Sequence, residues 1–213
     1  MNALPIEMAI EIPVKHTAGR SHYVKRVLDF CLALMLLFIL LPLLVVLWGL
    51  VLVNTGGPFF YKQTRVGRYG RVFTMYKLRS MVVDAEKNGP TLSQRGDIRI
   101  TPIGAFMRRY HLDEIPQLWN VIRGDMSLVG PRPERPFYVA QIMVHAPEYA
   151  YILQVRPGIT GLSQLQQGYT ANIKDMLQRL QLDNEYVNRQ TLWLDVSILF
   201  KTMGYLLRGG DRS

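Results

Sequence analysis

Residues 30–53 read FCLALMLLFILLPLLVVLWGLVLV, 24 consecutive positions without a charge. At about 1.5 Å of rise per residue they make roughly 36 Å of helix, enough to cross a hydrocarbon core of roughly 30 Å. A soluble core helix of this length and uniformity would be unusual. Nor does the stretch fit a cleaved signal peptide: it starts too late, is too long, and no small-residue cleavage site follows it. The chain is therefore expected to sit in a membrane.

How it sits there turns on Pro42 and on the flanks. An interior proline removes one helix hydrogen bond and clashes with the preceding turn, at a cost of about 3 kcal/mol where nothing compensates. Basic residues stand on both sides: Arg20, Lys25 and Arg26 before, Lys62, Arg65, Arg68 and Arg71 after. Lys and Arg favour the cytoplasmic side, so a simple span would strand one cluster on the wrong side. A helix that goes in, breaks near Pro42 and returns keeps both inside. The re-entrant arrangement is the expected one, although transmembrane helices tolerate proline and a plain span stays open. Asp29, one turn from Lys25 and Arg26, either pairs with them or is solvated at the interface.

The 213 residues carry 25 Lys+Arg against 16 Asp+Glu, a net charge of +9. That balance suits an anionic partner: nucleic acid, an acidic lipid surface or a phosphate-rich substrate. No helix-turn-helix, zinc or RNA-binding signature accompanies the charge, so nucleic acid is not expected. Cys31 is the only cysteine, which excludes an internal disulfide and a cysteine-based zinc site. Inside the apolar run it reads as a small buried hydrophobe. His16, His22, His111 and His145 show no metal-ligand spacing.

Three units are expected: a flexible leader over 1–20, a membrane helix over 21–55 and a folded domain over 56–213. Within the last, residues 59–61 and 72–76 predict two short strands joined by a turn at 66–71. Residues 80–88 predict a helix and 89–97 a loop. Pro102 to Tyr110 predicts a helix with Thr101 as N-cap and Pro102 at its first position. Ile115 to Arg123 predicts another. Pro131, Pro133 and Pro136 mark an extended or turning segment, residues 137–153 contain a helix, and Arg156 to Gly161 turns. Ile173 to Tyr186 is amphipathic; Leu192 to Leu207 is very apolar, lying either at the membrane interface or in the core.

Three stretches could carry chemistry. In Arg108-Arg109-Tyr110-His111-Leu112-Asp113-Glu114-Ile115-Pro116-Gln117, two acids stand beside two arginines. Acids can hold a divalent cation or supply a nucleophile, and arginines bind phosphate oxygens bidentately. Alone, an Asp-Glu pair is more often a solvated helix start. The hairpin from Lys62 to Arg79 holds Lys62, Arg65, Arg68, Arg71, Lys77 and Arg79. It is either a solvated basic surface or one for phospholipid head groups or a diphosphate. In Gly124 to Pro133, Arg132 is held between two prolines, which suits a phosphate clamp; an exposed loop cation is the plainer alternative. No glycine-rich phosphate loop of the Walker or dinucleotide type is present.

Together these pieces resemble the bacterial sugar transferase family, the monotopic phosphoglycosyl transferases. The matching segments are Tyr76-Lys77-Leu78-Arg79-Ser80-Met81, Leu112 to Val121, Arg123 to Glu134, and Arg156-Pro157-Gly158-Ile159-Thr160-Gly161. They extend the likeness from about Lys25 to about Thr202. The resemblance implies an α+β, mainly helical fold: a re-entrant helix-break-helix, and a compact cytoplasmic domain with a small β-hairpin and interfacial amphipathic helices. It implies an enzyme of the bacterial inner membrane, of the short form that is the catalytic module alone. Asp113 would be the nucleophile and bind Mg2+. Glu114 would assist as base or metal-orienting group. Lys77, Arg79, Arg108 and Arg132 match the phosphate-binding positions. The reaction implied moves a sugar phosphate from a UDP-sugar to a polyprenyl (undecaprenyl) phosphate, releasing UMP through a phosphosugar held on Asp113. Membrane lipids are expected partners, and a homodimer is left open. His111 and Leu41 depart from the family, which commonly has serine or threonine at the first and often serine at the second. A non-catalytic membrane scaffold is the competing reading. The segments 134–153 and 162–172 are expected to line the sugar pocket.

Overall fold

The computed structural model describes residues 20–55, 57–87, 89–93, 96–167 and 172–209. The leader expected over 1–20 lies outside them but for Arg20. The apolar run forms one long helix, α1 (Arg20–Thr55), with Pro42 inside it. The expected break at Pro42 therefore does not interrupt the helix. A proline removes one rung of the ladder, and the rungs on either side carry the helix past it.

One stripe of α1 faces the rest of the protein: Ala33, Leu36, Leu37, Leu40, Leu43, Leu44, Leu47 and Val51. The spacing of three and four residues puts them along one face. The opposite face is bare, with Phe38 79%, Ile39 61% and Val53 87% exposed. Cys31 lies on the bare side, not buried as its apolar setting implied. A large apolar surface of this kind is stable only against lipid or another chain.

The hairpin pairs β1 (Phe60–Val66) with β2 (Val72–Leu78) antiparallel, Tyr61 opposite Lys77 and Arg65 opposite Phe73. Alternation then divides the basic residues between two faces. Lys62 is exposed, whereas Arg65 turns inward to Glu134. The expected single basic surface is thus dispersed.

Of the segment expected as a helix over 80–88, the described residues 80–87 are instead non-helical, with turns at 83–87 and one bridge between Met81 and Ile100. Asp84 has φ 61°, which no α-helix accommodates. Arg99 organises the loop, donating to the Ala85 carbonyl at 3.1 Å and to Asp97 at 2.8 Å. α2 (Pro102–Arg109) starts where expected, the Thr101 hydroxyl accepting from the Gly104 amide at 3.0 Å. α3 (Gln117–Arg123) follows a 3-10 turn and ends at Gly124.

A second, parallel pairing between β3 (Ser127–Val129) and β4 (Gly158–Thr160) was not expected. It depends on close backbone approach. A Cβ at Gly158 would lie 2.1 Å from the Gly130 nitrogen. The helix expected within 137–153 is two, α4 (Pro136–His145) and α5 (Tyr149–Ile152), separated around Pro147. They pack with α7 (Ile173–Arg189) through Tyr138, Ile142, Tyr149, Met176 and Leu180. Much of the segment expected to line a pocket is therefore core. α6 (Leu162–Gln166) leads towards α7, and α8 (Leu192–Leu207) follows it, begun by Thr191 accepting from the Leu194 amide at 3.1 Å. α8 buries Asp195 and Ile198 and exposes Trp193, Phe200, Met203 and Leu207.

Candidate active site

The chain between α2 and α3 makes a tight corner. His111 takes a left-handed conformation, φ 53°, and Leu112–Glu114 form one 3-10 turn, with the Glu114 amide donating to the His111 carbonyl at 3.1 Å. Leu112 packs with Leu47 and Val51 of α1, Leu78 of β2 and Met107 of α2. The acidic turn thus rests on the apolar helix. Since successive residues of such a turn point apart, the two carboxylates meet different surroundings.

Glu114 faces cations. Its carboxylate accepts from Lys77 Nζ at 2.6 Å and stands 3.8 Å from Arg132 Nη2. Lys77 comes from the inner face of β2; Arg132 comes from the proline-held segment after β3. Burial works against charging Glu114, but Lys77, Arg132 and His111 together outweigh it and hold its carboxyl well below the usual range. Asp113 is 6% exposed. Burial raises its pKa, Lys77 opposes, and the Glu114 charge raises it further. Among the described residues no donor hydrogen-bonds its carboxylate.

Arg108 stands close enough to Asp113 to act on its charge, and it donates to Ser80 Oγ and Ser93 Oγ, both at 2.8 Å. Arg79 is placed elsewhere. Its Nε donates to the Pro58 carbonyl at 2.8 Å, beyond the end of α1. Of the four expected phosphate-binding residues, the fold gathers Lys77, Arg108 and Arg132 around the acids and sets Arg79 apart. The His111 ring lies 6.0 Å from that of Tyr205 on α8, and its Nε2 is buried with no hydrogen-bond partner.

Among the described residues no three His, Cys, Asp or Glu converge as a metal cage. Mg2+ does not need one: it is commonly held by one or two carboxylates, with substrate phosphates and water completing the shell. A buried carboxylate that no protein donor claims, beside a second acid, fits that chemistry.

Two groups that position the site had no assigned role from sequence. Asn120, fully buried, accepts from the Tyr76 amide at 3.2 Å and donates to the Thr74 carbonyl at 2.8 Å. It locks α3 to the strand that carries Lys77. A polar residue on the buried side of an apolar helix was the available signal. Glu134, two residues after Arg132, is buried between Arg65 and Arg179.

The family model for bacterial sugar transferases matches residues 20–209. A UDP-N-acetylgalactosamine-undecaprenyl-phosphate N-acetylgalactosaminephosphotransferase of Aeromonas hydrophila is 40% identical over 187 residues, 88% of this chain and 44% of its own length. An undecaprenyl-phosphate galactose phosphotransferase of Salmonella typhimurium is 39% identical over 203 residues, 88% of this chain and 41% of its own. A UDP-glucose:undecaprenyl-phosphate glucose-1-phosphate transferase of Caulobacter vibrioides is 41% identical over 187 residues, 86% of this chain and 69% of its own. The chain spans less than half the length of the first two.

Proposed function

The chain belongs to the bacterial sugar transferase family, and from that premise we propose that it transfers a sugar-1-phosphate from a UDP-sugar to a polyprenyl phosphate, undecaprenyl phosphate by analogy with the relatives, releasing UMP. One observation carries the reading: the acidic turn, ringed by cations, rests through Leu112 on the apolar helix. A phosphate-handling turn seated on the apolar helix is suited to a substrate whose phosphate is carried by a lipid.

In the first step an Asp113 oxygen attacks the β-phosphorus. The bond from that phosphorus to the bridging oxygen breaks, and the oxygen leaves with UMP. In the second, an oxygen of the lipid phosphate attacks the same phosphorus. The bond to Asp113 breaks, its carboxylate is restored, and a polyprenyl diphosphate sugar departs. Two easier displacements replace one hard one. A raised pKa makes the Asp113 carboxylate, once ionised, the better nucleophile. Glu114, held ionised by Lys77 and Arg132, is poorly suited to accept a proton. Its proposed role is to keep those cations aligned. Lys77, Arg108 and Arg132 bind phosphate oxygens. Mg2+ on Asp113 would neutralise charge on the diphosphate. Arg79 is better assigned to the junction with the membrane helix.

The protein is read as facing the cytoplasm from the bacterial inner membrane, at the first membrane step of exopolysaccharide, capsule, O-antigen or other glycan assembly. The re-entrant arrangement is supported by the stripe on α1, which rests on the catalytic domain both before and after Pro42. Contact with the domain on both sides of Pro42 favours a helix that stays on the domain's side of the membrane over one that crosses it. The bare face of α8 would lie in the interface.

Purified protein given Mg2+, undecaprenyl phosphate and a panel of UDP-glucose, UDP-galactose and N-acetylated donors should release UMP with at least one of them. Asp113→Asn should abolish that release. Full activity in the variant would refute the mechanism, and no turnover with any donor would favour the scaffold. For topology, Arg20→Cys and Lys62→Cys, each made with Cys31 replaced, should both be labelled from the cytoplasmic side. Labelling from opposite sides means a span.

A further inference from the structure

The first turns of α1 grip the catalytic domain through buried polar groups. Arg26 donates to the carbonyls of Val121 and Ile122, at 2.6 and 2.8 Å, in the last turn of α3. Asp29 accepts from the Ser127 hydroxyl at 2.7 Å and the Leu128 amide at 3.3 Å, both in β3. Lys25 donates to the Val129 carbonyl at 3.1 Å and pairs with Asp195 of α8 at 2.7 Å, with Asp29 3.7 Å away. The Tyr186 hydroxyl of α7 lies 2.7 Å from Asp195 and 3.1 Å from the Val129 carbonyl. Asp29 and Asp195 are each 6% exposed, so this is an interior joint and not a set of solvated ion pairs.

Holding the helix in place does not need such a joint, because the apolar stripe already does so. Burying one ammonium and two carboxylates carries a desolvation cost, and apolar residues often stabilise as well or better. What the joint adds is a fixed geometry. Both elements it holds lead to the acidic turn. α3 begins three residues after Glu114 and spans roughly 10 Å. β3 runs through Gly130 and Pro131 into Arg132, which contacts Glu114.

We propose that Lys25, Asp29 and Asp195 are positioning residues that fix the height and tilt of the membrane helix against the catalytic turn, and so set the lipid-borne acceptor phosphate in line with Asp113. The soluble donor reaches the turn from water whatever the tilt. The joint therefore serves the acceptor step. This inference rests on the transferase reading above.

Steady-state kinetics in lipid nanodiscs separate the two substrates. Asp29→Asn and Asp195→Asn should each lower kcat/KM for undecaprenyl phosphate by about tenfold to a hundredfold, the scale of a displacement near 1 Å, while kcat/KM for the UDP-sugar stays within about twofold. Ser127→Ala removes one hydroxyl and no charge. It should move the acceptor constant in the same direction by a smaller factor, and it guards against a variant that fails to fold. Equal losses in both constants, or no change in either, overturn the proposal. UMP release by the wild type tests the transferase reading separately, so failure of that reading is not confused with failure of this one.

Discussion

Replacing Lys77 by methionine removes an ammonium and keeps its aliphatic stem. The ammonium and its Glu114 partner are 16% and 11% exposed and 2.6 Å apart. Without Lys77, Glu114 is buried beside Asp113, with Arg132 at 3.8 Å as the remaining ion-pair partner. Stranding one member of a buried pair costs about 3–5 kcal/mol, and Arg132 pulls the value towards the lower end. At about 2–4 °C per kcal/mol for a chain of this size, Tm should fall by about 6–20 °C at pH 7. Unfolding followed by near-UV circular dichroism in detergent measures it. The pH dependence has a definite sign. The folded Glu114 carboxyl is held below its ordinary range, so the stabilisation is fully present above its unfolded pKa of about 4.3 and is lost as pH falls through the folded value. Glu114 of the variant takes up its proton earlier, so the penalty should shrink between pH 7 and pH 4. Made in a Glu114→Gln background, Lys77→Met no longer strands Glu114 and withdraws the ammonium from Asp113 alone, so it should cost less than in the wild type. An equal penalty in both backgrounds would refute the assignment of this pair.

Asn120→Ala leaves the Tyr76 amide and Thr74 carbonyl without their side-chain partner at a fully buried position. Stability should fall by about 2–4 kcal/mol in urea titrations, and activity with it, because Lys77 follows Tyr76 directly. Asp183 accepts from the Ser163 hydroxyl at 2.7 Å, and burial pushes its carboxyl up to about 7. A raised folded pKa gives stability that is present below the unfolded pKa and lost as pH rises through about 7. Asp183→Asn should therefore stabilise more at pH 8 than at pH 5. The reverse order in denaturation midpoints would contradict it.

Features set by neighbouring residues were legible in the chain. The apolar run became α1, Thr101 capped α2, and α8 runs from Leu192 to Leu207 as its apolar residues predicted. Features set by distant partners were not. Residues 80–88 have an unremarkable helical composition, but Arg99, further along the chain, gathers the Ala85 carbonyl and Asp97 and bends the loop around itself. The β3–β4 pair has three residues a strand, too few to show a period. Lys25 and Asp195 are 170 positions apart, and no local pattern joins them. Lys77 and Arg79 illustrate the limit at the site. They share a parity along the strand, but β2 ends at Leu78, so Lys77 stays on the inner face and Arg79 leaves the sheet for the Pro58 carbonyl.

Asp113 and Glu114 are adjacent and chemically alike, so nothing in their own order divides the work between them. The corner does. With the backbone turned left-handed at His111 and wound into a single 3-10 turn, one carboxylate meets Lys77 and Arg132 while the other meets no donor among the described residues. Environment then separates the two acids in opposite directions, Glu114 downward and Asp113 upward. Such a divergence is what assigns different roles to paired carboxylates elsewhere. The acid already neutralised by protein cations has little left to offer a phosphorus atom. The one left without a donor is the more basic, and among the described residues its oxygens carry no protein hydrogen bond that a substrate would have to displace. The division of labour proposed here follows from which acid the corner leaves unclaimed, and it requires Glu114→Gln to be less damaging to UMP release than Asp113→Asn.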